Sequence, residues 1–327
     1  MKKYIIAALC SLLVLSNKTV IAQSIWTQHY DQARTGWYPY ETILNQSNVN
    51  SNAFGILFSQ TTDDKILAQP LLIMNINIPG KGTKNIIYAA TLNNTVYAYD
   101  ADVTAPPYWQ KNFTNKISAS GPDCSNCRPA FYTDIHSTYC GGTYYEFNGN
   151  MGIISTPVID TAAGTIYFIT KIVNPNDGII DNHTYVAGIK DEYTYTTTGF
   201  HQYLHAVDIT TGNERLNSPV EITATLNGTG DGQIPANSGR IVFNPRTQFN
   251  RSALVLSNGI VYVAFAAHGD MNPSHGWILS YDASTLMQTH AFISTPNDGR
   301  GGIWMSATGP AVDDNGNLYV ATGNNLD

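Results

Sequence analysis

The feature that most constrains this fold is a recurrence: the same three strand-like runs follow one another in the same order along the chain. The first unit has Ala68-Gln69-Pro70-Leu71-Leu72, then Asn85-Ile86-Ile87-Tyr88-Ala89-Ala90, then Thr95-Val96-Tyr97-Ala98-Tyr99-Asp100-Ala101, and closes on Trp109. The second has runs at 155–160, 164–169 and 203–208, the last leading into Thr211-Gly212. The third has runs at 251–256, 259–264 and 276–283, and a fourth begins with 307–313 and 316–321. Each unit reads as a leading strand, a hairpin through an Asn, Asp or Gly turn, a strand of apolar-Tyr-apolar form and a strand ending in Asp. A small antiparallel sheet of this kind buries both faces only where a like sheet packs on each side. The expectation is therefore an all-β protein: a β-propeller of four-stranded antiparallel blades. A β-sandwich is the alternative, but it gives no reason for the same strand types to recur in order.

Composition supports a packed, turn-rich chain. Charged residues make up 13% against roughly 25% in an average protein, and 27 Gly, 15 Pro and 20 Tyr leave no room for a coiled coil or charged disorder. Residues 1–22 read as a secretory signal peptide, with Lys2 and Lys3 before an apolar stretch from Ile5 to Leu15 and Val20-Ile21-Ala22 as the cleavage site. That stretch is shorter than the roughly 20 apolar residues a membrane-spanning helix needs, and no later run is long enough. Residues 23–327 form the mature propeller, expected to be secreted, periplasmic or at the cell surface. The formal charge of -7 becomes still more negative once the leader's lysines are gone, which excludes phosphate-backbone binding to nucleic acid and disfavours anionic membrane surfaces.

Three cysteines remain after the leader, Cys124, Cys127 and Cys140. In an oxidising compartment they predict one disulfide and one thiol left over, the pairing being open. Together with His136 their spacing also suits a zinc site. Long insertions at 112–150 and 174–200 are expected on a propeller face, where functional loops gather.

The repeat pattern Gly-x-Ile/Val-Tyr followed by Tyr/Leu-x-Ala-x-Asp, with Thr211-Gly212 after one Asp, resembles that of propellers related to the pyrroloquinoline-quinone alcohol dehydrogenases. The segments Trp26, Tyr30-Asp31-Gln32-Ala33-Arg34-Thr35-Gly36 and Leu44-Asn45-Gln46-Ser47-Asn48-Val49 resemble the start of those proteins. The stretch from Met151 onward is similar to secreted bacterial quinoprotein-like propellers. Such rings have roughly seven or eight blades. With about four repeats, the resemblance implies an incomplete ring, the N-terminal fragment of a longer propeller, with Ile25 to Tyr30 a closing strand lacking its partners. A genuine four-bladed ring is the competing reading.

The same resemblance implies a site. Gly301-Gly302-Ile303-Trp304 followed by Thr322-Gly323-Asn324 matches the family's order of a Trp under the quinone ring and an Asn that ligates calcium. Stacking on indole suits a flat quinone and an amide oxygen suits a hard cation. Three departures stand against it: the catalytic Asp falls beyond Asp327, the family's adjacent-cysteine disulfide is missing, and its calcium-binding Glu has no clear counterpart. Packing explains Trp304 equally, and a turn explains Asn324.

Independently of the family, His268, Asp270 and His275 flank one connection broken by Pro273, giving metal-ligand or acid-base material. The run Asp313-Asp314-Asn315-Gly316-Asn317 has calcium-loop composition but stands where a hairpin turn is required. The function expected is an exported binding or interaction module for an extracellular or periplasmic ligand. The alternative is an alcohol or sugar dehydrogenase using pyrroloquinoline quinone and calcium, and a metal-dependent hydrolase built on His268, Asp270 and His275 ranks third.

Overall fold

A computed structural model describes residues 23–135, 147–177, 199–269 and 271–325. The leader, His136, Cys140 and Asp270 lie outside the described residues.

The recurrent units fold as successive antiparallel blades. The first joins β1 (Leu71–Ile78), β2 (Gly82–Ala90), β3 (Thr95–Asp100) and β4 (Trp109–Asn112) in sequence order. The second is built on β7 (Thr165–Val173) and β8 (Phe200–Asp208), with the short β9 (Val220–Glu221) beside β8. Its leading position is split, because β6 (Val158–Asp160) pairs with one end of β7 and β5 (Arg128–Pro129) with the other. After a separate hairpin of β10 (Thr225–Asn227) and β11 (Arg240–Val242), the third blade repeats the split: β12 (Gln248–Phe249) and β13 (Val255–Ser257) both pair with β14 (Ile260–Ala267). β15 (Trp277–Asp282) and β16 (Gln288–Ile293) complete it, and β17 (Ala311–Val312) with β18 (Leu318–Tyr319) form a fourth hairpin. The pieces β5 and β12 answer to nothing in the repeat pattern, and β12 brings Phe249 to the site described below.

Every residue of β3 and of β7 is buried. A strand covered on both faces reads as a continuous apolar run instead of an alternation, as these do. One core fills the space between the first two blades, with Ile86, Tyr88, Trp109, Ile166, Phe168 and Val207. A second lies between blades two and three, with Tyr167, Leu204, Val261, Leu279 and Tyr281. A third cluster, containing Leu92, Met151, Val173, Phe200 and Phe249, has Phe147 and Trp304 packed half-buried against it.

The N-terminal segment is held against all four described units. Ile25 pairs with Leu72 of the first blade, the Trp26 carbonyl accepts from the Ile159 amide of the second, and Gln32 bonds Leu256 of the third and Val312 of the fourth. Arg34 anchors the segment, donating to the carbonyls of Gln28, Leu254 and Pro310 and to the Thr27 hydroxyl. Cys124 and Cys127 form the disulfide. Their sulfurs are therefore not thiolate ligands, which removes the zinc arrangement. Asp313 closes the β17–β18 turn, accepting from the backbone amides of Asn315 and Asn317 and from the Tyr319 hydroxyl, as a hairpin requires.

Candidate functional site

The segment from Arg300 to Ile303 runs between β14 and the chain's last described residues. The Ile303 amide donates to the Phe265 carbonyl on one side, while Gly301 bonds the Asn324 carbonyl and Gly323 the Gly302 carbonyl on the other. This pairing explains the glycines. A Cβ on Gly302 or on Gly323 would stand 3.2 Å from the Trp304 indole, a tight contact that the bare glycines spare the ring. Trp304 and the Gly-Asn pair, separate in sequence, thus form one local structure. Immediately afterwards Met305 (φ 32°) and Ala307 (φ 58°) adopt left-handed backbone, a strained turn that lifts Ser306 to the rim of the pocket.

That pocket has a volume of about 410 Å³ and is lined by Trp304, Phe249, Phe147, Arg251, Lys65 and Ser306, among others. Phe249 meets Trp304 edge-on at 6.2 Å between ring centroids and Phe147 at 5.6 Å. Lys65 is tethered by a hydrogen bond to the Asn148 carbonyl. Arg251 is half-buried, and its guanidinium has no hydrogen-bond or ion-pair partner among the described residues. Burial holds it below the ordinary arginine range. The described lining contains two cations and, among the described residues, no carboxylate or imidazole, so it suits a flat anion: rings for stacking, charges at the edge. Asn324 is exposed and does not line the pocket, although Gly323 links it to the indole.

Beneath Phe249 lies a buried polar pair. Lys171 Nζ donates to the carbonyls of Arg246 and Gln248 and lies 2.7 Å from His268 Nε2. Burial lowers both groups well below their ordinary values, with the Arg246 charge adding to the effect on Lys171 and the Lys171 charge to that on His268. The His268 ring lies 4.4 Å from that of Phe249, so this pair supports the pocket floor. His275 is held elsewhere: Nε2 donates to the Asp231 carbonyl and Nδ1 meets the Thr295 hydroxyl at 2.9 Å. Among the described residues no hydrogen bond joins the two imidazoles, and no group of three His, Cys, Asp or Glu side chains is placed to hold a metal. Asp270, the third member of that sequence cluster, lies outside the described residues.

The sequence reading singled out Trp304 and His268 but not Arg251, Phe249 or Lys171. A lysine inside the apolar run of β7 is a legible signal of a buried cation. Arg251 carries no such mark, since only the closure of the third blade brings it beside Trp304.

No protein-family model matches this chain, and no curated protein matches it in sequence. Among solved structures it is similar to the quinohemoprotein alcohol dehydrogenase of Comamonas testosteroni, with 15% identity and a TM-score of 0.51 over 92% of this chain and 35% of that one. A quinohemoprotein alcohol dehydrogenase of Pseudomonas putida HK5 matches at 14% identity and a TM-score of 0.39, over 81% of this chain and 29% of that one. The chain thus spans about a third of the length of the proteins it resembles. At this identity the first likeness establishes the β-propeller fold of the quinoprotein kind and nothing finer.

Proposed function

We propose that this chain is an exported ligand-binding propeller, a binding module at or outside the cell surface, whose Trp304 pocket takes a planar anion. What carries the reading is the joint placement of Trp304, Phe249, Arg251 and Lys65 around one cavity. An arginine without a partner among the described residues, half out of water beside two aromatic rings, is a group with binding energy still to give.

The second reading is the dehydrogenase. Pyrroloquinoline quinone is a flat polyanion, and its class fits this donor set: Trp304 would stack on the ring system, with Arg251 and Lys65 meeting acidic groups. Asn324 would ligate the calcium, although among the described residues no group of three His, Cys, Asp or Glu side chains is placed to hold a metal. When bound, such a quinone supplies a two-electron acceptor for an alcohol or sugar. The chain's own part is to orient that ring and hold its charge.

The test is a titration of the purified chain with pyrroloquinoline quinone, with and without calcium, following tryptophan fluorescence and the melting temperature. A ligand held only by the folded state raises stability by mass action. Saturable quenching with a higher melting temperature supports the pocket, and dependence on calcium moves the dehydrogenase reading first. No response from folded protein contradicts both.

A further inference from the structure

The two interfaces between the first three blades are built on one plan, and one key residue is replaced in the second. Between blades one and two, the Trp109 indole donates from Nε1 to the Ile209 carbonyl at 2.9 Å, and the same oxygen accepts from the Tyr88 hydroxyl. Between blades two and three, the Tyr167 hydroxyl donates to the Ala283 carbonyl at 2.8 Å. The surroundings correspond bond for bond. Ile209 donates to Gly164 as Ala283 donates to Gly259, and the Tyr108 amide bonds the Ala98 carbonyl as the Arg215 amide bonds that of Ala206. Tyr108 reaches Asp100 as Arg215 reaches Asp208. This register places Leu216 where Trp109 stands. Trp109 is 8% exposed and Leu216 84%, so the leucine leaves the slot open.

A cavity of about 440 Å³ occupies that slot, lined by Tyr167, Ala206, Leu216, Ala283, Asp160 and Asp282 among others. Its volume is within the range of small-molecule sites. Three features describe what it takes. The Ala283 carbonyl, whose counterpart accepts two hydrogen bonds, accepts only one among the described residues. Leu286, buried and with φ 58°, stands at the position of Gly212 and offers an aliphatic floor where the first slot has bare backbone. Asp160 and Asp282 each use one carboxylate oxygen to cap their own turns, leaving the other without a partner among the described residues. Bonds from Ser284 and Thr285 hold Asp282 down to about 2, so it stays ionised. The only cation among the described lining residues, Arg215, is already paired with Asp208.

We infer that this slot is a second ligand site, separate from the Trp304 pocket, for a small indole-class cation: a flat heteroaromatic ring with an N–H donor and an ammonium group. The ring fills the space that Trp109 fills in the preceding interface, its N–H meets the open lone pair of Ala283, and the ammonium lies between the two carboxylates.

The probe is tryptamine, titrated calorimetrically into the whole chain, with neutral indole as the comparison. The expected result is saturable binding at one site, tighter for tryptamine than for indole, with the difference reduced in Asp160→Asn. Leu216→Trp should weaken tryptamine binding by about tenfold or more, because the chain then blocks its own slot. Leu216 is exposed, so this variant should fold, which circular dichroism checks. Trp304→Leu should leave binding unchanged. Absence of saturable binding, binding by Leu216→Trp within about twofold of wild type, or loss through Trp304→Leu would overturn the assignment.

Discussion

The Trp109 ring lies so close to Gly212 of the next blade that a Cβ on the glycine would stand 2.7 Å from it. Gly212 also has φ +70°, a conformation that L side chains resist. Gly212→Ala therefore meets both a backbone and a packing penalty, with an expected loss of about 2–3 kcal/mol in urea unfolding. A loss below about 0.5 kcal/mol would mean the two blades do not depend on this contact.

Arg34 ties the N-terminal segment to the leading strands of the third blade and the fourth hairpin. Arg34→Ala leaves three buried carbonyls without their donor, and about 3 kcal/mol of destabilisation is expected. Arg34→Lys should recover only part of it, because an ammonium cannot reproduce the fork of the guanidinium. Denaturant midpoints of the two variants decide the matter. Equal stability of wild type and Arg34→Ala would show that the segment is not a staple.

Lys171→Met removes the buried donor shared by the Arg246 and Gln248 carbonyls and the His268 ring. A loss of about 3 kcal/mol or more is expected from such unsatisfied buried groups. Because His268 lies against Phe249, the variant should also perturb the aromatic signals of the Trp304 pocket in near-ultraviolet circular dichroism. An unchanged aromatic spectrum would separate the pair from the pocket floor.

The histidines should titrate in opposite directions. His201, bonded to Glu221 and Asp177, is raised above its ordinary value chiefly by the Glu221 hydrogen bond. Its contribution to stability is complete below about pH 6.5 and is lost as pH rises through the folded value. His268 and His275 are lowered by burial, so the unfolded chain takes up their protons first. Stability from these two is present above about pH 6.5 and falls as the pH drops through their folded values. Imidazole proton shifts followed by NMR should place His201 on one side of the free value and His275 on the other. Coincident titration would contradict the hydrogen-bond networks described.

The blade strands were legible because each is a buried apolar run bounded by Asn, Asp or Gly turns, and the turn at Asp313 was legible for the same reason. The edge strand β16 was not, because Gln288-Thr289-His290-Ala291-Phe292-Ile293 is mostly exposed and carries no clean apolar pattern. Trp304 and the Gly323-Asn324 pair stood out through their order, and backbone pairing does join them. Their partners Phe249 and Arg251 were hidden, since β12 is a two-residue strand with no periodicity to reveal it. His268 and His275 flank one loop, and Asp270 between them lies outside the described residues. Flanking one loop places two residues near each other in sequence but does not aim their rings, and here each ring is drawn into a different hydrogen-bond network.

The central claim is that Trp304 and Arg251 together hold a planar anion. The direct measurement is calorimetric titration of wild-type, Arg251→Ala and Trp304→Leu protein with pyrroloquinoline quinone at two salt concentrations. The account predicts saturable binding by wild type, weakened about tenfold or more in either variant, with the salt dependence reduced in Arg251→Ala because a charge contact has been removed. Equal affinity in all three folded proteins, or no binding by wild type, would contradict it.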